Sequence, residues 1–337
     1  MTAKKVNVAV AGLGFMGTTH LRAYQAIRQA RIVAVCDAVR QPINGVLTSV
    51  QGNLKRGADL SLGTRVKVYR EFQELIADPD VDLVDLCTPT ALHAAQAIAA
   101  LKAGKHVLCE KPLAQDAAAA RKILETAAKS DKFLMPAMCM RFWPGWSWLK
   151  EVVTKQTFGA VKAAGFRRVT AKPAWSQAGT HLGGALLDLH IHDTDFVNFL
   201  FGRPAAVFST GVTCAASAVD HIVTQYIYPL GPTVQAEGSW LLPDGFNMSF
   251  TVHCERATID FDLSRGAGAL RLQTAGKKTR TIKLKNTDGY HQEIASFVQS
   301  VAHGVKPSIV TAADGLTALE ICAAEEKSVR TGKVVKL

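Results

Sequence analysis

Short runs of successive apolar residues punctuate the first part of the chain, at Val6–Ala11, Ile32–Cys36, Val66–Tyr69, Val81–Cys87, His106–Cys109 and Phe133–Ala137. Runs that are mostly apolar at successive positions, rather than alternating, mark strands buried on both faces of a parallel sheet. Between them, Phe15–Arg28, Ala91–Ala103 and Ala114–Lys129 carry helical patterns. Strand–helix alternation predicts a doubly wound α/β domain over 1–137.

From about residue 140 the rhythm changes. Gly145–Lys155 and Gly184–Phe201 read as helices. A series of short β-like runs follows, at Val207–Val212, Ile222–Tyr228, Thr233–Trp240, Asn247–His253, Thr258–Asp262, Ala269–Gln273 and Arg280–Leu284. Gly231-Pro232 and Pro243-Asp244-Gly245 mark turns between them. Gln292–Ala302 and Ala312–Arg330 read as closing helices, the second stopped by Gly332. This order predicts an α+β domain over 138–337 built on a mostly antiparallel open sheet, its last helix free to pack back on the first domain.

Composition narrows the class. Of 337 residues, 48% are apolar and 20% charged, which excludes a disordered chain and suits two domains. The net charge of +11 is spread along both halves, so a generally basic surface is expected rather than a nucleic-acid patch. Seven cysteines, scattered and with no CxxC, argue against a disulfide framework or a zinc site and fit a reducing cytosol. No run of apolar residues is long enough to span a bilayer, and the N-terminus lacks a signal pattern. A cytoplasmic protein with no membrane or nucleic-acid partner is the expectation.

Gly12-Leu13-Gly14-Phe15-Met16-Gly17 follows the first strand and opens the first helix. Gly12 permits the tight turn, Gly14 lets backbone approach a pyrophosphate, and Gly17 lets helix and strand pack closely. The helix N-terminus offers its free N–H groups to the phosphates. Asp37 ends the second strand, where an acid accepts hydrogen bonds from both ribose hydroxyls and repels a 2′-phosphate. That favours NAD. Arg40, three residues on, could receive a 2′-phosphate, so NADP stays open.

Two motifs carry candidate chemistry. The fifth strand ends in Glu110-Lys111-Pro112, at the edge of a parallel sheet where ligands bind. Farther on, Gly183-Gly184-Ala-Leu-Leu-Asp188-Leu-His190-Ile-His192-Asp193-Thr-Asp195, if helical, aligns Asp188, His192 and Asp195 in one polar stripe. Acid and imidazole aimed into one groove suit proton transfer. A metal site is not expected, since His190 and His192, two apart, face different ways.

With GLGFMG at 12–17, CD at 36–37, TPTALH at 88–93, AGKHVLCEKP at 103–112, MRFWP at 140–144, GGALLDLHIHD at 183–193 and the tail SVRTGKVVKL, the chain resembles the glucose–fructose oxidoreductase/inositol dehydrogenase (Gfo/Idh/MocA) family. The resemblance runs nearly the whole length. It implies an N-terminal Rossmann domain and an NAD(P)-dependent oxidoreductase acting on a sugar, polyol or inositol-like alcohol. It makes Lys111, Asp188 and His192 the catalytic set, places Thr88, Pro89 and His93 along the nicotinamide pocket, and sets Glu110 beside it. It also implies a homodimer or homotetramer through the C-terminal sheet. His190 departs from the family, which commonly has a small residue there. His192, an imidazole of the kind that exchanges protons near neutral pH, is the candidate base, and Lys111 would stabilise the developing alkoxide. Two other readings share these motifs: a nucleotide- and ligand-binding regulator without turnover, and a glycoside hydrolase relative that retains NAD.

Arg141, Arg168, Lys172, Trp175, His181, Asp195 and Tyr290 are candidate walls of the substrate cleft. From Glu151 to Asp188 the chain carries Lys155, Lys162, Arg167, Arg168 and Lys172 with no intervening acid, so a cleft for an anionic sugar and a solvated basic strand edge both fit. A second basic run, Arg265 to Lys285, reads as an exposed hairpin.

Overall fold

The computed structural model describes residues 5–50, 58–173, 183–213 and 218–337. The chain forms two compact units, Met1–Phe142 with Asp288–Leu316, and Trp143–Thr287 with Thr317–Leu337. This division differs from a single boundary at 137/138. Residues 138–142 and the segment 288–316 group with the first unit, because the helix within 288–316 packs on elements there.

The first unit is built in the order β1 (Val6–Ala11), α1 (Phe15–Ala26), β2 (Ala30–Cys36), β3 (Val46–Leu47), β4 (Leu60–Ser61), β5 (Lys67–Tyr69), α2 (Phe72–Ala77), β6 (Leu83–Leu86), α3 (Thr90–Lys102), β7 (His106–Glu110), α4 (Ala117–Ala128) and β8 (Leu134–Ala137). Six strands form one sheet in the order β5-β2-β1-β6-β7-β8, every pair parallel. Val8, Ala9 and Val10 at its centre are fully buried, as unbroken apolar runs require. The order reverses direction at β1, so the carboxyl ends of β1 and β6 flank a crevice where α/β sheets bind ligands. A 3₁₀ turn at Cys139–Phe142 closes this stretch.

The second unit opens with α5 (Pro144–Thr154) and β9 (Val161–Ala171). A π-helical segment at Leu186–His190 then runs into α6 (Ile191–Phe201). Next come β10 (Ala206–Val212), β11 (His221–Ile227), β12 (Thr233–Cys254), β13 (Thr258–Asp262), β14 (Leu270–Gln273) and β15 (Arg280–Thr281). Helix α7 (Gly289–His303) belongs to the first unit; α8 (Ala312–Thr331) begins there and ends in the second, followed by β16 (Val335–Lys336).

β9 is the strand that the sequence pattern misses, and it organises the sheet. Thr233–Trp240 and Asn247–His253, expected as two strands, are the halves of the single long element β12. Its register with β9 rises from Thr233↔Ala163 to Ser239↔Val169, then falls from Phe246↔Thr170 to His253↔Ala163. β12 therefore wraps the end of β9, with β11 paired outside its first half and β13 outside its second. Pro243-Asp244-Gly245 lies at the wrap. The inner face is aromatic. Trp146 of α5 meets Phe250 and Phe261 edge-on at 5.0 and 4.7 Å between ring centroids. A Cβ on Gly145 would stand 3.0 Å from the Phe261 ring, so any larger residue there would have to push the ring aside.

Candidate active site

The glycine loop folds as its spacing predicts. Gly12 sits at φ +88°, and a Cβ there would lie 2.4 Å from the Cys87 carbonyl oxygen. A Cβ on Gly17 would lie 1.8 Å from the Gly12 oxygen. Gly14 is different. It caps α1 at φ −73°, with no side-chain cap, and a Cβ would meet nothing within 4 Å. Its glycine is not demanded by the protein's own packing. The open side at an uncapped helix N-terminus has the shape and polarity that a pyrophosphate needs, so these residues fit a dinucleotide. Phe15 and Met16, in the first turn, are half-buried.

Asp37, just past β2, does two things. Its Oδ1 accepts the Val39 and Arg40 N–H groups at 2.9 and 2.8 Å, closing the turn. Its Oδ2 accepts the Leu13 N–H at 2.7 Å, tying that turn to the glycine loop. Arg40 lies across the same loop, donating to the Leu13 carbonyl and to Thr48 O.

Thr88 and Pro89 follow β6 at the start of α3, Thr88 half-buried and Pro89 exposed. The Thr88 hydroxyl donates to Gln96 Oε1 at 2.6 Å. His93 does not line a surface. It is 1% exposed, with Nδ1 2.8 Å from Pro112 O and Nε2 2.8 Å from Thr88 O. It is a strut between the loops after β6 and β7. Burial lowers its pKa, against the pull of the two carbonyls.

Lys111 sits at the carboxyl end of β7, half-buried. Glu110 before it is buried, with Oε1 3.2 Å from His20 Nε2 and Oε2 accepting the Lys111 N–H at 3.0 Å. Burial alone would raise the Glu110 pKa, but the hydrogen bond and charge of His20, with Lys111 adding, hold it below the ordinary carboxylate value. His20 of α1 in turn holds Asp85 of β6 at 2.8 Å. Neither His20 nor Asp85 was singled out from the sequence. The signal was there, because an acid inside the buried run Val81–Cys87 requires a partner.

In the second unit, Asp188 and His192 are half-buried while Leu186, Leu189, His190, Ile191 and Asp193 around them are buried. Asp195, one turn after His192 on α6, is buried at 1% exposure. The wider turn of the π segment shifts the register assumed for a uniform α-helix, and π turns of this kind recur at functional sites. His190 faces the sheet. Its Nε2 lies 3.2 Å from Thr224 Oγ1 and 3.3 Å from Glu325 Oε1. Its ring fits because Gly238 has no Cβ; one would stand 2.7 Å from the His190 Cβ.

The expected cleft walls divide. Arg168 is not one. It is 3% exposed and forms a bidentate pair with Asp193, Nε–Oδ2 2.9 Å and Nη2–Oδ1 3.1 Å. Arg141 is also buried, donating to Ile309 O at 2.8 Å and pairing with Asp314 at 3.0 Å within the first unit. Lys172 pairs with Asp220 at 3.1 Å and lies 5.9 Å from the Trp240 ring centroid. Tyr290 is half-buried in the first turn of α7, its ring 6.3 Å from that of His20. Trp175 and His181 lie outside the described residues.

The basic run from Lys155 to Lys172 is compensated residue by residue. Lys155 pairs with Glu151, Lys162 with Glu255, Arg167 with Glu237, Arg168 with Asp193 and Lys172 with Asp220. All of their acids but Glu151 come from far along the chain, so the sequence run reads as an uncompensated patch only until the chain is folded. The residues near 276–280 are exposed, as a hairpin tip would be. Among the described residues, no helix is long and apolar enough to cross a membrane.

A parallel six-stranded sheet with this glycine loop, joined to a second unit on a mostly antiparallel sheet, defines a two-part NAD-binding oxidoreductase. Comparison with known proteins gives the family. Residues 6–138 match the model described as oxidoreductase family, NAD-binding Rossmann fold, and residues 146–260 match the GFO/IDH/MocA C-terminal domain. The chain belongs to the GFO/IDH/MocA oxidoreductase family. Among relatives, myo-inositol 2-dehydrogenase of Thermotoga maritima is 28% identical over 98% of both chains. Inositol 2-dehydrogenase of Rhizobium meliloti is 25% identical over 98% of this chain and 99% of its own. Trans-1,2-dihydrobenzene-1,2-diol dehydrogenase of Mus musculus is 33% identical over about half of each chain, 49% and 51%. Levoglucosan dehydrogenase in complex with NADH and L-sorbose shares the fold, with a TM-score of 0.83 at 21% identity over 99% of both chains.

Proposed function

We propose that this protein transfers a hydride between a nicotinamide cofactor and a secondary alcohol or ketone of a sugar, polyol or inositol-like substrate. The observation that carries the reading is the environment of Lys111. It ends β7 at the ligand-binding edge of the sheet, and its backbone is fixed by a buried, ionised Glu110. The inositol dehydrogenases that align over the full chain support the substrate class.

Gly12, Gly14, Gly17 and the first turn of α1 would hold the pyrophosphate, with Asp37 beside the adenosine ribose. The carboxylate at Asp37 favours NAD over NADP. When bound, the nicotinamide accepts or returns the hydride. His192 takes the hydroxyl proton, Lys111 hydrogen-bonds the same oxygen and stabilises the charge that develops on it, and Asp188 orients the imidazole or a neighbouring hydroxyl. In the reducing direction His192 donates the proton. Assembly through the C-terminal sheet into a dimer or tetramer belongs to the same reading.

The test is NADH or NADPH formation from the purified full chain against inositols, aldoses, uronates and sugar phosphates. Turnover of a neutral polyol or sugar with NAD+ supports the reading. No reduced cofactor from any substrate, with cofactor retained on the protein, contradicts it and favours a hydrolytic or sensory role.

A further inference from the structure

We propose that His20 is a buried imidazolium clamped between Asp85 and Glu110, and that through Glu110 this clamp fixes the position of Lys111. The functional part rests on the reading of Lys111 as a catalytic residue. The protonation state of His20 stands on geometry alone.

Both ring nitrogens of His20 lie within ion-pair reach of a carboxylate: Nδ1 is hydrogen-bonded to Asp85 Oδ2 at 2.8 Å, and Nε2 stands 3.2 Å from Glu110 Oε1 without hydrogen-bond alignment. The His20 and Asp85 side chains are 0% exposed and that of Glu110 8%. A neutral imidazole has one N–H and one lone pair. A neutral ring with its proton on Nδ1 would set the Nε2 lone pair beside the Glu110 carboxylate in a dry interior; the doubly protonated ring sets an N–H and a positive charge there instead. Without its charge, two ionised carboxylates would share one buried site, and one would have to take a proton.

The other groups around the ring agree. Cys87 lies 3.5 Å from both Asp85 Oδ1 and His20 Nδ1. Burial and the Asp85 charge push its pKa up, so it stays a thiol and donates. Tyr24 lies one helical turn further along α1, its pKa raised by burial and by Asp85. Tyr290 and Glu293 face the cluster from α7. His93, its own pKa lowered by burial, and Lys111 act on Glu110 from the far side. Burial would depress the His20 pKa, yet Asp85 holds it well above the ordinary value.

His20, Asp85 and Cys87 also bring one donor atom each within 4.8 Å of one another, as metal ligands do. A metal would need a ring lone pair and a thiolate. Both ring nitrogens lie beside carboxylates and the thiol is held protonated, so a proton occupies this position.

The chain of contacts then runs from Asp85 through His20⁺ to Glu110 Oε1, and from Glu110 Oε2 to the Lys111 N–H. It anchors the end of β7 to β6 and α1. His20 is therefore a positioning residue, acting on the lysine without touching substrate.

The direct test is a long-range ¹H–¹⁵N spectrum of the full chain labelled with ¹⁵N-histidine, from about pH 5.5 to 9, with the signal assigned by its loss in His20→Gln. The expected result is two ring N–H groups on His20 throughout. A ring that titrates in this range, or carries one N–H, overturns the proposal. Glu110→Gln removes one clamp and is expected to bring the His20 titration into the range. The positioning claim is read without substrate, as the pH profile of Lys111 acylation by acetic anhydride followed by mass spectrometry. His20→Gln, or Asp85→Asn where that variant does not fold, is expected to change the Lys111 rate at least threefold, with NAD+ binding by tryptophan fluorescence held within threefold. An unchanged Lys111 profile overturns the positioning role. Failure of the substrate panel leaves both readouts intact, so it bears on the proposed reaction and not on this clamp.

Discussion

The Arg168 guanidinium grips the Asp193 carboxylate through two parallel hydrogen bonds, 2.9 and 3.1 Å, with both side chains buried. Arg168 comes from β9 and Asp193 from α6, one residue after His192. Its neighbour Arg167 points to the other face of the strand and pairs with Glu237 at the surface. Period-two alternation thus separates two adjacent arginines into a structural anchor and a solvated ion pair. Removing one partner of a buried pair leaves an uncompensated charge, so Arg168→Met should cost about 3–5 kcal/mol of stability. Arg168→Met with Asp193→Leu should recover most of that loss. Denaturant unfolding of the singles and the double checks both.

The three glycines of the 12–17 loop separate folding from binding. Gly17→Ala should unfold the loop or fail to express, because its Cβ falls 1.8 Å from the Gly12 oxygen. Gly14→Ala should fold with a melting temperature close to wild type, since nothing lies within 4 Å of its Cβ. It should still lose NAD+ affinity by about tenfold or more, because the added methyl occupies the side where the pyrophosphate approaches. Thermal melts and fluorescence titrations of both variants read the difference.

Asp37 is expected to set cofactor choice. Asp37→Ser removes the charge that repels a 2′-phosphate and loosens the turn that holds Arg40 across the loop. The ratio of NAD+ to NADP+ affinity should fall by about tenfold or more, roughly the 1.4 kcal/mol of one charged contact. An unchanged ratio would confine Asp37 to its turn.

His106 gives the first unit a pH signature. Its Nδ1 accepts the Phe133 N–H at 2.9 Å, which requires the neutral ring. Burial foremost, with Lys132 adding, lowers its pKa from 6.5 to about 4. The unfolded chain therefore takes up a proton below about pH 6.5 that the native state does not. The contribution is complete above pH 6.5 and is lost as pH falls toward 4. His20 has the opposite sign: its raised pKa gives stability that is complete below about 6.5 and lost as pH rises toward its folded value. Unfolding free energies measured across pH for wild type and His106→Asn should differ by up to one proton of slope between pH 6.5 and 4, and run parallel above.

Much of this was legible in the residues. The six parallel strands were marked by mostly apolar runs, although the edge strand β5 is largely exposed, and the glycine loop by spacing at a strand–helix junction. Lys111 and Glu110 were marked by their place at a strand end. What escaped depends on partners far away in the chain. β9 contains Gly165, three alanines and Arg167-Arg168, so its core role shows only once Asp193 and Glu237 are found opposite. The two halves of β12 look like a hairpin by sequence, and only the register with β9 reveals the wrap. Asp188 was aligned with His192 and Asp195 by assuming uniform α-helical spacing, and the π segment at Leu186–His190 shifts Asp188 out of that spacing. His20 and Asp85, 65 positions apart, each looked ordinary alone.

The most direct test of the central claim compares wild type with Lys111→Ala, using whichever polyol or sugar the wild type oxidises. The account predicts that the variant binds NAD+ as wild type does but forms NADH at least 100-fold more slowly, the scale of losing one preorganised donor, about 2.7 kcal/mol or more. Undiminished NADH formation by Lys111→Ala would contradict it.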